Sequence, residues 1–442
     1  MCNAATCGDG GFAMKSTSVK LRNLFIYQVF VRNHTPQGDF AGLVKDLERI
    51  KALGADFVYL LPVHPIGVKN RKGSLGSPYS IRDYRAINPE YGTMADFKAL
   101  IDAVHAHGMR LMIDVVYNHT SRDSRLLAEH PEWFYRNEKG EFANRVGEWW
   151  DVTDFDFSSG KALWTELADT LASYAAMGVD GFRCDVASLV PIDFWTYARK
   201  VVAKTNRKIV WLSESVHGSF VKYIRDRGFN AWSEAEIYQA FDIAYDYDVY
   251  PYYEQYLLGK RPLKEYLEAL KRQEEIYPGN YVKMHNLDNH DVVRIAGFVA
   301  GDPDKLKNWH AFNFFLKGAA MVYAGAEYSS DVRPSLFDRD PVIRKADISD
   351  FIRTLAKLKK RPVFATGIHE ILIPETDGVA VVKLHDAKET FIGVFNVGLA
   401  AGSIPVPLAD GRYRNVLGGK AVKIEAGSVT LAHEPIVVRL KK

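Results

Sequence analysis

Four short segments put carboxylates where an apolar run ends: Asp114-Val-Val-Tyr-Asn118-His119, Gly181-Phe-Arg183-Cys-Asp185, Trp211-Leu-Ser-Glu214 and Asp288-Asn-His290-Asp291. A carboxylate beside apolar neighbours is costly unless it is paired or used. One such acid is most often a structural partner, whereas four at strand ends describe a working rim. Two carboxyls ~5–5.5 Å apart are what retaining glycoside hydrolysis requires, one as nucleophile and one as general acid/base. Alternation along a strand sets Arg183 and Asp185 on one face and Cys184 on the other. The guanidinium then favours the ionised carboxylate that a nucleophile needs. Cys184 reads as core and not as a catalytic thiol. Glu214 follows Ile209-Val-Trp-Leu, an apolar setting that raises a carboxyl toward the pKa of a general acid.

Acids on successive strand ends need strands at regular intervals, and the chain carries them. Residues 40–53 place Leu43, Leu47 and Ile50 on one helical face; Gly54 ends the helix and residues 55–61 read as a buried strand. The pattern repeats over residues 94–116 around Gly108 and over 161–186 around Gly178. Glycine at these points suits a left-handed helix end, and strands without strict alternation suit a parallel sheet covered on both faces. Further strands are expected at 25–31, 209–213, 229–232, 281–287 and 320–324. Eight strands with intervening helices predict an α/β fold, a (β/α)8 TIM barrel, whose sites form at the strands' C-terminal ends. No Gly-x-Gly-x-x-Gly opens a helix after the first strand, which disfavours an open doubly wound sheet.

Two segments break the repeat. Residues 119–160 are too long for an ordinary βα loop and read as a short inserted subdomain after strand three. Beyond residue 362 the helical period stops, and short strands between Gly, Pro and Asp turns predict a C-terminal antiparallel β-sandwich domain. The expected organisation is a disordered leader over 1–16, a barrel over 17–118 and 161–362, the insertion over 119–160 and the β domain over 363–442.

Composition narrows the function classes. Among 442 residues, 47% are apolar and 25% charged, the balance of a globular protein with a large core. Lys and Arg number 57 against 54 Asp and Glu, so there is no basic field for nucleic acid. No run approaches the ~18 uninterrupted apolar residues of a membrane span. Three cysteines argue against a disulfide framework. Cys2 and Cys7 fall in a Gly- and Ala-rich start without the apolar core of a signal peptide, which points to a cytoplasmic protein.

The four strand ends resemble, in order and spacing, the sequence regions of the α-amylase family, glycoside hydrolase family thirteen. That resemblance implies Asp185 as nucleophile, Glu214 as general acid/base and Asp291 as a stabiliser of the transition state. It implies that His119, Arg183 and His290 line the subsite of the glucose whose bond is cleaved. Gly76-Ser-Pro-Tyr79 looks like the family's segment after strand two, making Tyr79 the platform beneath that glucose. Asn118 and Asp154 match positions that bind calcium in the family, so calcium is the one cofactor implied and no organic cofactor is expected. Ser188 and Leu189 stand where many members carry Lys-His, which affects both the leaving-group side and the calcium site.

The implied activity is retaining hydrolysis of α-1,4-glucosidic bonds in α-glucan oligosaccharides and polysaccharides. A 4-α-glucanotransferase or a cyclomaltodextrinase-like enzyme would share the same motifs. A non-catalytic carbohydrate-binding relative is the alternative from another class, opposed by the intact Asp185, Glu214 and Asp291. Trp149 and Trp150 in the insertion are further sugar-binding candidates.

Overall fold

The computed structural model describes residues 17–418 and 421–442. The expected leader, with Cys2 and Cys7, lies outside the described residues. Eight strands close into a parallel barrel: β1 (Phe25–Val29), β2 (Phe57–Leu60), β3 (Arg110–Val115), β4 (Gly181–Cys184), β5 (Val210–Ser213), β6 (Ile243–Tyr245), β7 (Lys283–His285) and β8 (Gly318–Tyr323). β8 pairs back onto β1 with Phe25 opposite Ala320. Strand alternation divides the core in two. Ile26, Tyr59, Met112, Leu212, Tyr245 and Met321 pack together inside the barrel, while Tyr27, Leu60, Phe182 and Cys184 pack outward against the helices. Cys184 is free and buried.

The sixth strand is a correction. Residues 229–232 form no strand; Ala231 instead packs with Val146, Val221 and Ile224, and Ser233 begins a capping box for the helix Glu234–Ile237. β6 is only three residues long and follows Asp242. Its brevity leaves too little periodicity to separate it from neighbouring apolar runs.

Glycines end the helices as their sequence positions suggest. Gly54 and Gly178 adopt φ of 98° and 107° after Phe40–Leu53 and Lys161–Met177, a conformation open to glycine at little cost. The insertion after β3 folds on a two-stranded ribbon, His119–Ser121 antiparallel to Val152–Asp154. The C-terminal region forms two four-stranded antiparallel sheets, with Val381, Ile392, Val394, Ile404, Val422 and Ile424 buried in one apolar cluster. Phe391 and Phe395 of the first sheet pack against Phe315 on a barrel helix. No helix among the described residues is long and apolar enough to cross a membrane.

Candidate active site

The inward face of β4 points Arg183 into the barrel mouth with no exposed side-chain surface. Its Nη1 lies 2.9 Å from Asp114 Oδ1 and 2.9 Å from Asp185 Oδ1, and its Nη2 lies 2.8 Å from Glu214 Oε1. One guanidinium therefore touches acids from three adjacent strand ends. The Nη2 contact is an ion pair without hydrogen-bond geometry, and Nε has no partner. Asp114 also accepts from Tyr59 Oη at 2.7 Å and Tyr79 Oη at 3.0 Å.

Asp185 and Glu214 are each 6% exposed. Burial pushes the Asp185 carboxyl well up and the charge of Glu214 adds to the rise, while Arg183 opposes it. Burial likewise raises Glu214 against Arg183, with the charge of Asp291 adding to the rise. Two buried carboxyls on one cation favour sharing a single proton. Glu214 Oε2 also accepts from the Val186 backbone N–H at 2.7 Å. Val186 has φ of 34°, an unusual conformation for a β-branched residue and a local strain of about 1–3 kcal/mol.

Around this pair stand the other expected residues. His290 stacks on Tyr79 with centroids 5.4 Å apart and planes 14° from parallel. Its Nε2 lies 2.5 Å from Tyr79 Oη and 3.0 Å from Asp291 Oδ2. Asp291 is 43% exposed at its side chain; against the cost of burial, the neighbouring His290 with its hydrogen bond and the Arg183 charge hold its carboxyl below the usual range. His119 Nε2 is 4.0 Å from Asp185 Oδ2, and burial lowers its pKa to about 4. Trp149 meets the His119 ring edge-on at 5.2 Å. All seven residues expected at the sugar site therefore lie at one barrel mouth.

Several residues of the mouth carry no motif. Gln28 on β1 donates from its side-chain amide to His290 Nδ1 at 3.0 Å. Lys72, from the loop after β2, pairs with Asp151 of the insertion at 2.8 Å. The cleft has two compartments. One, of about 320 Å³, is lined by Tyr79, His119, Asp185, Lys72, Asp151 and Phe337. The other, of about 530 Å³, is lined by His217, Phe220, Tyr247, Tyr250 and Glu254. Trp149, Val186, Glu214 and Asp291 border both. A separate cavity of about 350 Å³ between a barrel helix and the C-terminal sheet includes Tyr281, Lys317 and His369 but none of the strand-end acids.

The residues expected to bind calcium are adjacent but do not fit the ion. Asn118 Nδ2 is 3.4 Å from Asp154 Oδ1. The other Asp154 oxygen accepts from the Arg145 backbone N–H at 2.8 Å and lies 3.5 Å from its guanidinium. Burial raises the Asp154 carboxyl to about 6 despite Arg145. The Arg145 side chain thus competes with a cation for one oxygen of the Asp154 carboxylate, and the Ser188 carbonyl accepts from the Trp232 N–H at 2.8 Å. Among the described residues no group of three His, Cys, Asp or Glu is arranged to hold a metal.

Fold and rim define a (β/α)8 protein with a cluster of acids at the C-terminal mouth. Residues 15–146 and 128–351 match the sequence model of the alpha amylase catalytic domain, and residues 370–438 match that of the bacterial alpha amylase C-terminal domain. The chain belongs to the α-amylase family. It is similar to the crystal structure of an alpha-amylase from Lactobacillus plantarum, at 42% identity over 96% of this chain and 100% of that one, with a TM-score of 0.92. It is also similar to the noncanonic maltogenic alpha-amylase AmyB from Thermotoga neapolitana, at 33% identity over 96% and 100% of the chains, with a TM-score of 0.85. Over 213 residues it is 34% identical to an alpha-1,4-glucan:maltose-1-phosphate maltosyltransferase from Pseudomonas aeruginosa. That match spans 43% of this chain and only 32% of the relative's length.

Proposed function

We propose that this protein hydrolyses α-1,4-glucosidic bonds of maltodextrins with retention of configuration. The carrying observation is the contact of Arg183 with both Asp185 and Glu214, two buried acids that favour a single shared proton. When the bond breaks, Glu214 gives its proton to the departing glycosidic oxygen. Asp185 attacks the anomeric carbon, forming a glycosyl ester as the C–O bond to the leaving sugar opens. In the second half-reaction Glu214 takes a proton from water, the water oxygen bonds to the anomeric carbon, and the ester breaks to free Asp185. Asp291, with His290 beside it, holds sugar hydroxyls as positive charge grows on the ring. Neutral His119 donates or accepts at a hydroxyl, and Tyr79 offers an apolar surface to the sugar ring.

A second reading has support of its own. Tyr247 and Tyr250 line the compartment beyond Glu214 and suit an acceptor sugar, so transfer to a saccharide competes with transfer to water. Proton NMR of maltotetraose digestion tests both readings. The α-anomer appearing first supports retention, and initial β-anomer overturns it. Products longer than the substrate at high concentration measure the transfer share.

A further inference from the structure

We infer that the Lys72–Asp151 ion pair closes the sugar-donor end of the cleft, so that the enzyme engages an α-glucan by its free non-reducing end. This inference rests on the proposed glycosidase function. The direction of the cleft follows from its two compartments. The four residues bordering both, Glu214 among them, mark the bond to be broken. Asp185, Tyr79 and His119 line only the smaller side, which therefore holds the transferred sugar. Lys72 and Asp151 also line that side and not the other.

This end is built by several loops joined to one another. Lys72 belongs to the loop after β2 and Asp151 to the insertion after β3, and their charges meet at 2.8 Å. Asp151 is 4% exposed and Lys72 21% at the side chain, so the pair is sheltered from the solvent that weakens exposed ion pairs. The Asp151 carbonyl accepts from Ser80 Oγ at 3.1 Å. The Lys72 ammonium also sits over the Trp150 ring, 4.5 Å from its centre. The loop after β8 joins the same rim: the Leu75 N–H donates to the Phe337 carbonyl at 2.9 Å, and Ser74 Oγ donates to Asp338 Oδ1 at 2.7 Å. Gly73 packs so tightly here that an added Cβ would lie 2.6 Å from Phe337 Cβ.

A glucan continuing past this compartment meets that joined rim. A chain that ends there can instead place its terminal hydroxyls against the Lys72 ammonium and the Asp151 carboxylate. The compartment, at about 320 Å³, lies at the small end of small-molecule sites. The substrate class is accordingly open-ended maltooligosaccharides and starch chain ends. Cyclodextrins have no such end and are poor substrates.

The test compares two reducing-end-labelled maltoheptaosides, one free and one capped by a cyclic acetal on its non-reducing glucose. Wild type should cleave the capped compound at least about tenfold more slowly, in kcat/KM, than the free one. Lys72→Ala should bring that ratio toward one and lengthen the products released from the non-reducing end. Asp151→Asn, which keeps the side-chain shape and the carbonyl bond to Ser80, should move the ratio the same way. Equal cleavage of the free and capped compounds by wild type overturns the inference, as does an unchanged ratio in either folded variant. No cleavage of the free compound overturns the functional reading and this inference with it.

Discussion

The Gln28 side-chain amide and His290 Nδ1 meet at 3.0 Å inside the barrel mouth, joining β1 to the loop after β7 across 262 residues of chain. An amide N–H donating to Nδ1 leaves the imidazole proton on Nε2, the nitrogen facing Tyr79 and Asp291. Nitrogen NMR of His290 should therefore report the Nε2–H tautomer in wild type. Gln28→Leu should leave a mixture of tautomers and lower kcat about tenfold, with a smaller change in KM. A single unchanged tautomer in that variant would show that Gln28 does not set the ring.

The two buried acids should respond differently to the leaving group. Glu214→Gln should nearly stop cleavage of maltooligosaccharides, whose leaving oxygen needs a proton, yet affect glycosylation by α-glucosyl fluoride far less. Asp185→Asn should lose at least ~100-fold with both substrates. Single-turnover measurement of glycosylation separates the cases. Equal losses in all four combinations would contradict the assigned roles.

Arg145 beside Asp154 bears on calcium. Chelation should leave the melting temperature unchanged, since a guanidinium already neutralises the carboxylate. Arg145→Ala should destabilise the fold by about 3 kcal/mol, the order expected when a buried charge loses its partner, as measured by urea unfolding. A large fall on chelation in wild type would mean that ligands other than Asn118 and Asp154 hold the ion.

Lys359 supplies a pH test. Its side chain is wholly buried, and Nζ donates to the Leu316 carbonyl at 2.8 Å. Burial, together with the nearby charges of Lys360 and Arg22, lowers its pKa from 10.5 to about 7. Between those values the unfolded chain holds a proton that the folded chain has released, so this residue makes stability rise with pH. Below about 7 both states are charged and the full cost remains. Wild type should gain a few kcal/mol relative to Lys359→Met as pH rises from about 7 to 10.5. Parallel curves for the two proteins would refute the assignment.

The motif residues were legible because charged side chains at apolar strand ends are conspicuous in any sequence. Arg183 and Asp185 were placed on one face by alternation alone. β6 escaped because three residues carry no usable period, whereas β7 was found within residues 281–287 despite its Lys283 and His285. Residues that shape the mouth through distant pairing left no local signal: Gln28 needs His290, and Lys72 needs Asp151. The contact of Val186 with Glu214 depends on a left-handed backbone that a valine does not advertise. Asn118 and Asp154, given as calcium positions by the resemblance, lie side by side, but nothing in their spacing announced Arg145 against the Asp154 carboxylate.

Closing the barrel by pairing β1 with β8 has a consequence for biosynthesis. β1 leaves the ribosome well before β8, and one of its edges stays unpaired until Gly318–Tyr323 has emerged. Throughout that interval the nascent chain exposes Phe25, Tyr27 and Val29 beside free backbone donors and acceptors, a template for another chain. A product truncated before Gly318 would keep all of the strand-end acids yet remain an open, association-prone sheet.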